Sequence, residues 1–232
     1  MRSLPLAVVL LGLSVACSRA SGPTPVGSEP AADAAKTPAP SALAASTTPL
    51  EEARVGAGAP DFELPDLDGK LVKLASFRGK PVVLEWFNPG CPFVKASHTK
   101  GSLVGTAARH SNGGAVWLAI NSGAPGRQGH GVEANREGRK LFGLEHPVLL
   151  DETGRVGRAY GAAHTPHLYV IDAKGVLVYR GAIDNSPDAE GESPTGGKLV
   201  NYVDAALADL SAGRPVATPE TKAYGCSVKY QN

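Results

Sequence analysis

Residues 81–94 read Pro81-Val82-Val83-Leu84-Glu85-Trp86-Phe87-Asn88-Pro89-Gly90-Cys91-Pro92-Phe93-Val94, and this stretch decides the fold. From Pro81 to Phe87 the run is apolar but for one residue, the pattern of a strand covered on both faces. Asn88-Pro89-Gly90 breaks it with turn chemistry. Cys91-Pro92 then opens a helix, expected to run to about Arg109, because proline suits the first helical position, where an N–H would be unpaired anyway. A cysteine at that junction faces free backbone N–H groups and the positive end of the helix dipole, both of which favour its thiolate. Cys91 therefore reads as a reactive or redox-active thiol, the alternative being a buried structural cysteine.

Upstream of this stretch, Ala59-Pro60-Asp61-Phe62-Glu63-Leu64 is extended, Asp66 to Lys70 is a turn, and Leu71 to Leu74 is a short strand. Downstream, a strand covers Ala115–Ile120 and a Gly-rich loop covers 121–131. A polar helix follows at 132–141, then a short strand at Val148–Leu150. His167–Asp172 and Val176–Arg180 form a hairpin across Ala173-Lys174-Gly175, and a last helix spans about Lys198–Leu210. Strand–helix alternation followed by a hairpin and a closing helix is an α/β sandwich with a mixed sheet.

The ends differ from this domain. Residues 1–17 read as an export signal: Arg2, an apolar run from Leu4 to Leu13 too short to span a bilayer, then Ser14-Val15-Ala16-Cys17. Small residues before a cysteine resemble the bacterial lipobox, which makes Cys17 a lipidation site. An ordinary secretory signal cleaved after Ala20 is the alternative. Residues 18–50, almost all Ala, Pro, Ser, Thr and Gly, read as a disordered tether. The folded domain is assigned to 51–213 and a C-terminal tail carrying Cys226 to 214–232. The expected location is the bacterial cell envelope, lipid-anchored on the periplasmic side of the outer membrane because Ser18 follows the cysteine; secreted or soluble periplasmic protein is the alternative.

Composition narrows the function classes. The chain of 232 residues has a net charge of +1 and no basic stripe, so nucleic acid is not an expected partner. Three cysteines make neither a disulfide-dense scaffold nor a zinc knuckle. Gly123-Ala124-Pro125-Gly126-Arg127 lacks a P-loop lysine, and no dinucleotide fingerprint or Ser-His-Asp signature is present, so no cofactor is expected.

Taken in order, four stretches resemble the redoxin branch of the thioredoxin-like superfamily, the alkyl hydroperoxide reductase/thiol-specific antioxidant group with its peroxiredoxin-like relatives. They are Gly58-Ala59-Pro60-Asp61-Phe62, Leu84 through Val94, Thr165-Pro166 before a strand, and Gly225-Cys226-Ser227-Val228-Lys229. The resemblance covers about residues 55–230 and implies a thioredoxin-like fold, a mixed central β-sheet flanked by helices. It implies that Thr165-Pro166 is a cis-proline loop, with Thr165, Pro166 and Pro92 forming the substrate-side wall. It also implies that Glu85 matches the buried acid of thioredoxins. A desolvated carboxylate has a raised pKa and serves as a base near neutrality; pairing with Lys73 or Lys80 is the alternative.

The chain departs from its relatives in places that matter. Thioredoxin's second cysteine is replaced by Val94, and the usual Trp before the first cysteine by Gly90. Counting back from Cys91 to the peroxiredoxin Pro and Thr positions gives Leu84 and Asn88, which argues against efficient peroxide reduction. Cys226 is the remaining partner thiol, with three readings open: a resolving cysteine, one half of a permanent structural disulfide, or an unpaired thiol. His98, His164 and His167 lie where a copper or zinc set is conceivable, but they read better as hydrogen-bonded residues, and no metal is expected.

The expected activity is that of an envelope thiol–disulfide oxidoreductase. Cys91 attacks, Cys226 resolves, Glu85 takes the proton, and the partners are envelope proteins or small-molecule thiols and disulfides. A thiol peroxidase with an atypical site and a non-catalytic thioredoxin-fold binding module are the alternatives. The membrane enters only through the lipid anchor.

Overall fold

A computed structural model describes residues 50–231. The signal, Cys17 and nearly all of the tether lie outside these residues. Leu50, assigned to the tether, already packs against the core. Among the described residues no helix is long and apolar enough to cross a membrane.

The elements in chain order are β1 (Glu63–Pro65), β2 (Leu71–Lys73), β3 (Val82–Trp86), α1 (Pro92–Thr99), α2 (Thr106–Asn112), β4 (Val116–Asn121) and α3 (Val132–Leu141). They continue with β5 (Val148–Leu150), α4 (Arg155–Ala159), β6 (His164–Thr165), β7 (His167–Ile171), β8 (Leu177–Gly181), α5 (Tyr202–Ser211) and β9 (Cys226–Ser227). The central sheet has the order β5-β4-β3-β7-β8. β3 is parallel to β4 and antiparallel to β7, which makes the sheet mixed, and Val82–Trp86 face Ile171–His167 one for one. This is the thioredoxin-like fold.

All five residues of β3 are buried, as a strand at the middle of a two-sided sheet requires. Val82, Leu84 and Trp86 point to one face, against Leu118, Ile120, Tyr160, Tyr169 and Phe62. Val83 points to the other, with Leu168 and Val170 of β7, against Leu103 and against Val203 and Leu207 of α5. Cys91 belongs to a third cluster at the end of the sheet, with Phe87, Val94, Ala119, Val148 and Leu150.

Three local expectations are corrected. The helix from Cys91 does not reach Arg109: α1 stops at Thr99, and α2 starts at Thr106 after Gly105 takes up a left-handed conformation, with φ 67°. Leu74 is not in β2 but opens a short 3-10 turn, Leu74–Phe77. The last helix starts at Tyr202, not near Lys198, because the Asn201 side chain accepts the Asp204 N–H and caps it there. The segment after residue 213 is also part of the fold: Glu220 bridges to Arg180 beside β8, and β9 pairs with β6.

Candidate functional site

Cys91 is the N-cap of α1, with φ −81° and ψ 124°, and Pro92 occupies the first turn. The Cys91 carbonyl accepts from the Lys95 N–H at 3.0 Å, the first bond of the helix. The Cys91 side chain is 1% exposed. It points at the Thr165-Pro166 loop, whose peptide bond is cis. As a thiol, Cys91 donates to the Thr165 carbonyl at 3.1 Å.

The second sulfur arrives on the tail. β9 pairs antiparallel with β6, setting Cys226 opposite Thr165 and Ser227 opposite His164. The two sulfurs are 2.6 Å apart. Gly225 makes the approach possible: its φ is 124°, and a Cβ there would collide with the Thr165 carbonyl. His164 Nδ1 donates to the Gly225 carbonyl at 3.2 Å, fixing the turn into β9 from the other side.

The two thiols are driven apart in acidity. Burial disfavours the Cys91 thiolate, but hydrogen bonds from the Cys226 side chain, Thr165 and the Val94 and Cys226 amides outweigh it, and the Cys91 pKa falls below the usual thiol value. The buried Thr165 hydroxyl has no other partner among the described residues, so it is free to turn to the sulfur. Cys226 is pushed up to about 11 by burial and by its neighbour Cys91. Cys91 is therefore the thiol that ionises first, and its thiolate can accept from the still protonated Cys226.

Glu85 is fully buried in β3. Its carboxylate meets neither Lys73 nor Lys80. His98 Nε2 lies 2.7 Å from Oε1, and Trp117 Nε1 donates to Oε2 at 3.1 Å. Desolvation raises the Glu85 pKa, but His98, His146 and Trp117 together pull it lower, so the carboxyl sits below its ordinary value. This corrects the expectation of a raised pKa: the strand was legible as buried, but the partners come from α1, β4 and the loop before β5. His98 stacks on Phe142 at 5.4 Å, and a cavity of about 460 Å³ lined by His98, Trp117, Phe142 and His146 borders the pair.

The other histidines have roles in the packing. His167 Nδ1 is 3.1 Å from the Tyr169 hydroxyl, and burial lowers its pKa to about 3. Burial likewise lowers His146 to about 4. Lys73, one alternative partner for Glu85, is paired with Glu63 at 2.6 Å.

Sequence reasoning missed the role of the Gly-rich loop. Asn88 Nδ2 donates to the Gln128 carbonyl at 3.3 Å, and Gln128 Nε2 donates to the Gly90 carbonyl at 3.0 Å. The loop thus buttresses the turn before Cys91. Its other side receives the tail, since the Ala124 N–H donates to the Lys229 carbonyl at 2.8 Å. Amide side chains on both segments, Asn88 and Gln128, were the available signal.

The described cysteines thus form a site in which one buried sulfur is activated and a second is presented to it. Comparison with known proteins identifies the family of the domain that carries Cys91. The Redoxin family model matches residues 54–196. A thiol-disulfide oxidoreductase ResA of Geobacillus thermodenitrificans is 34% identical over 122 residues, which cover 52% of this chain and 65% of the relative. A chloroplastic peroxiredoxin Q of Triticum aestivum is 31% identical over 162 residues, 65% of this chain and 69% of the relative. Among solved structures, an uncharacterized conserved protein of Geobacillus kaustophilus is 32% identical with a TM-score of 0.65, covering 79% of this chain and 96% of that one. The family match ends before the tail, so Cys226 lies outside it.

Proposed function

The chain belongs to the Redoxin family, and from that premise we propose that it is a thiol–disulfide oxidoreductase acting through Cys91 and Cys226. The observation that carries this reading is the 2.6 Å approach of the two sulfurs, one of low and one of high pKa, across the β6–β9 ladder. The Cys91 thiolate attacks one sulfur of an external disulfide. The external S–S bond breaks, a mixed disulfide forms, and the departing thiolate takes a proton. Cys226, deprotonated, then attacks the Cys91 sulfur, releases the second external thiol and leaves a Cys91–Cys226 disulfide. The external disulfide is reduced and the protein pair oxidised; an external thiol reverses the sequence. Thr165, Pro166 and Pro92 form the wall against which the partner lies. The proton that the departing thiolate takes is the one Cys226 gives up; Glu85, with its pKa lowered and its oxygens engaged by His98 and Trp117, holds those two side chains in place instead of acting as the base expected from sequence. The nearness of Cys226 favours its resolving role over that of an unpaired thiol.

The proposed setting is the bacterial cell envelope, with Cys17 lipidated and residues 18–50 tethering the domain on the periplasmic side of the outer membrane. The proposed partners are envelope proteins or small-molecule disulfides. A Cys17→Ser variant leaving the membrane fraction would support the anchor; equal membrane recovery would remove it.

The test of function uses the full chain with Cys17→Ser, so that two thiols remain. Reduction of a protein disulfide such as insulin's should be lost in Cys91→Ser. Cys226→Ala should accumulate a mixed disulfide on Cys91. A wild type no more active than Cys91→Ser would overturn the proposal.

A further inference from the structure

The tail carrying Cys226 is held at its far end by a socket that the disulfide chemistry above does not use. The Tyr230 ring lies on α4 against Gly154 and Gly157; a Cβ on either would run into the ring or its hydroxyl. The Tyr230 hydroxyl donates to the Ala162 carbonyl at 2.7 Å. The Arg158 guanidinium covers the ring, 4.6 Å from its centroid, and Arg158 Nη2 donates to the Gln231 carbonyl at 2.6 Å. Between socket and sulfur, the Val228 N–H donates to the Ala163 carbonyl at 3.1 Å and the Lys229 carbonyl accepts from Ala124 at 2.8 Å. At the near end Tyr224 donates to Asp184 at 2.5 Å and packs on Phe93 of α1. Cys226 is thus slung between two tyrosine anchors, over a Cys91 that is 1% exposed.

We infer that the Tyr230–Arg158 socket is a clasp that positions Cys226, setting both the redox equilibrium of the Cys91–Cys226 pair and the access of other molecules to Cys91. This rests on the proposed pairing of the two thiols. A second thiol held in place acts at high effective concentration, which favours its disulfide over two separate thiols. The same segment covers Cys91, so anything that reaches this sulfur must first lift the strap. Tyr230 and Arg158 are positioning residues, since neither touches the reacting sulfurs.

The equilibrium is read in the full chain with Cys17→Ser. Two glutathione thiols give up two electrons, the Cys91–Cys226 bond breaks to two thiols, and glutathione disulfide forms. Tyr230→Ala, and separately Arg158→Ala at an exposed position, should shift this equilibrium tenfold or more toward the dithiol, with Tyr230→Phe falling between. In a Cys226→Ala background, where no pair exists, Tyr230→Ala should speed iodoacetamide alkylation of Cys91 about tenfold on the high-pH plateau, where the thiol is fully ionised. Unchanged equilibrium and unchanged alkylation in a folded Arg158→Ala or Tyr230→Ala variant overturn the clasp. If the wild type forms no disulfide at all, the oxidoreductase reading fails, while the alkylation arm still decides whether the strap shields Cys91.

Discussion

Thr165 and Cys226 stand opposite one another in a two-stranded ladder, so the residue before the cis proline and the second sulfur share one backbone register. The pair places the tail where the strand edge of the proline loop is otherwise open. It also explains why Cys226 needs no flexible search to meet Cys91. The following expectations come from this geometry and from the buried groups around it.

The two thiols should alkylate in a fixed order. Cys91 should show an inflection below the value of a free thiol, and Cys226 one near pH 11. Cys226→Ala removes a donor to the Cys91 thiolate, so the Cys91 inflection should move up. Mass spectrometry of iodoacetamide-quenched samples across pH reads both sites. A lower inflection for Cys226 than for Cys91 would contradict the assignment of attacker and resolver.

Glu85 carries a stability signature at acid pH. Its pKa is depressed in the fold, so its contribution is present above the unfolded carboxyl value and drains away as pH falls through the lower folded value. Removing it with Glu85→Ala strands His98 and Trp117 in the core and should cost about 3–5 kcal/mol. Glu85→Gln should cost less, because an amide oxygen still accepts from Trp117. Urea midpoints from pH 3 to 7 decide; an acid limb as steep in Glu85→Gln as in the wild type would show that the carboxyl does not contribute.

His146 should govern a different pH window. Burial holds it neutral, with a folded pKa of about 4. As pH drops below the unfolded value of about 6.5, the unfolded chain takes up a proton that the folded one refuses, and stability is lost down to about pH 4. The shift corresponds to roughly 3 kcal/mol for this residue. His146→Leu should flatten the slope between those limits. By NMR neither His146 nor His167 should titrate between pH 5 and 8.

Val94→Cys restores the spacing of a Cys-x-x-Cys site. Val94 is fully buried beside Cys91, and the exchange changes volume little, so it should cost less than about 1.5 kcal/mol. The new thiol should compete with Cys226, giving a mixture of two disulfides that peptide mapping resolves. Pairing confined to Cys91–Cys226 would mean that the tail outcompetes a neighbour on the same helix.

Much of this was readable from sequence where one residue's neighbours along the chain decide its state. β3 follows from its apolar run, α3 from the polar segment after the glycines, and the position of Cys91 from the proline behind it. The break between α1 and α2 was not readable, because a left-handed glycine inside a helix-forming stretch is chosen by the packing around it. Nor was the β6–β9 pairing, since two-residue strands have no period to detect. The partner of Glu85 was hidden for a related reason. His98 stands seven residues past Cys91 in the sequence, but its meeting with β3 depends on how α1 lies on the sheet.

The placement of Cys226 beyond the family-matched segment divides labour within the chain. With the second sulfur supplied by the tail, the first turn of α1 has only one reactive residue to host, and position 94 is released to serve the hydrophobic interior as Val94. The frame and the second sulfur thus belong to separate parts of the chain: on the proposed function, substitutions in the tail retune the chemistry without disturbing the helix on which the fold depends.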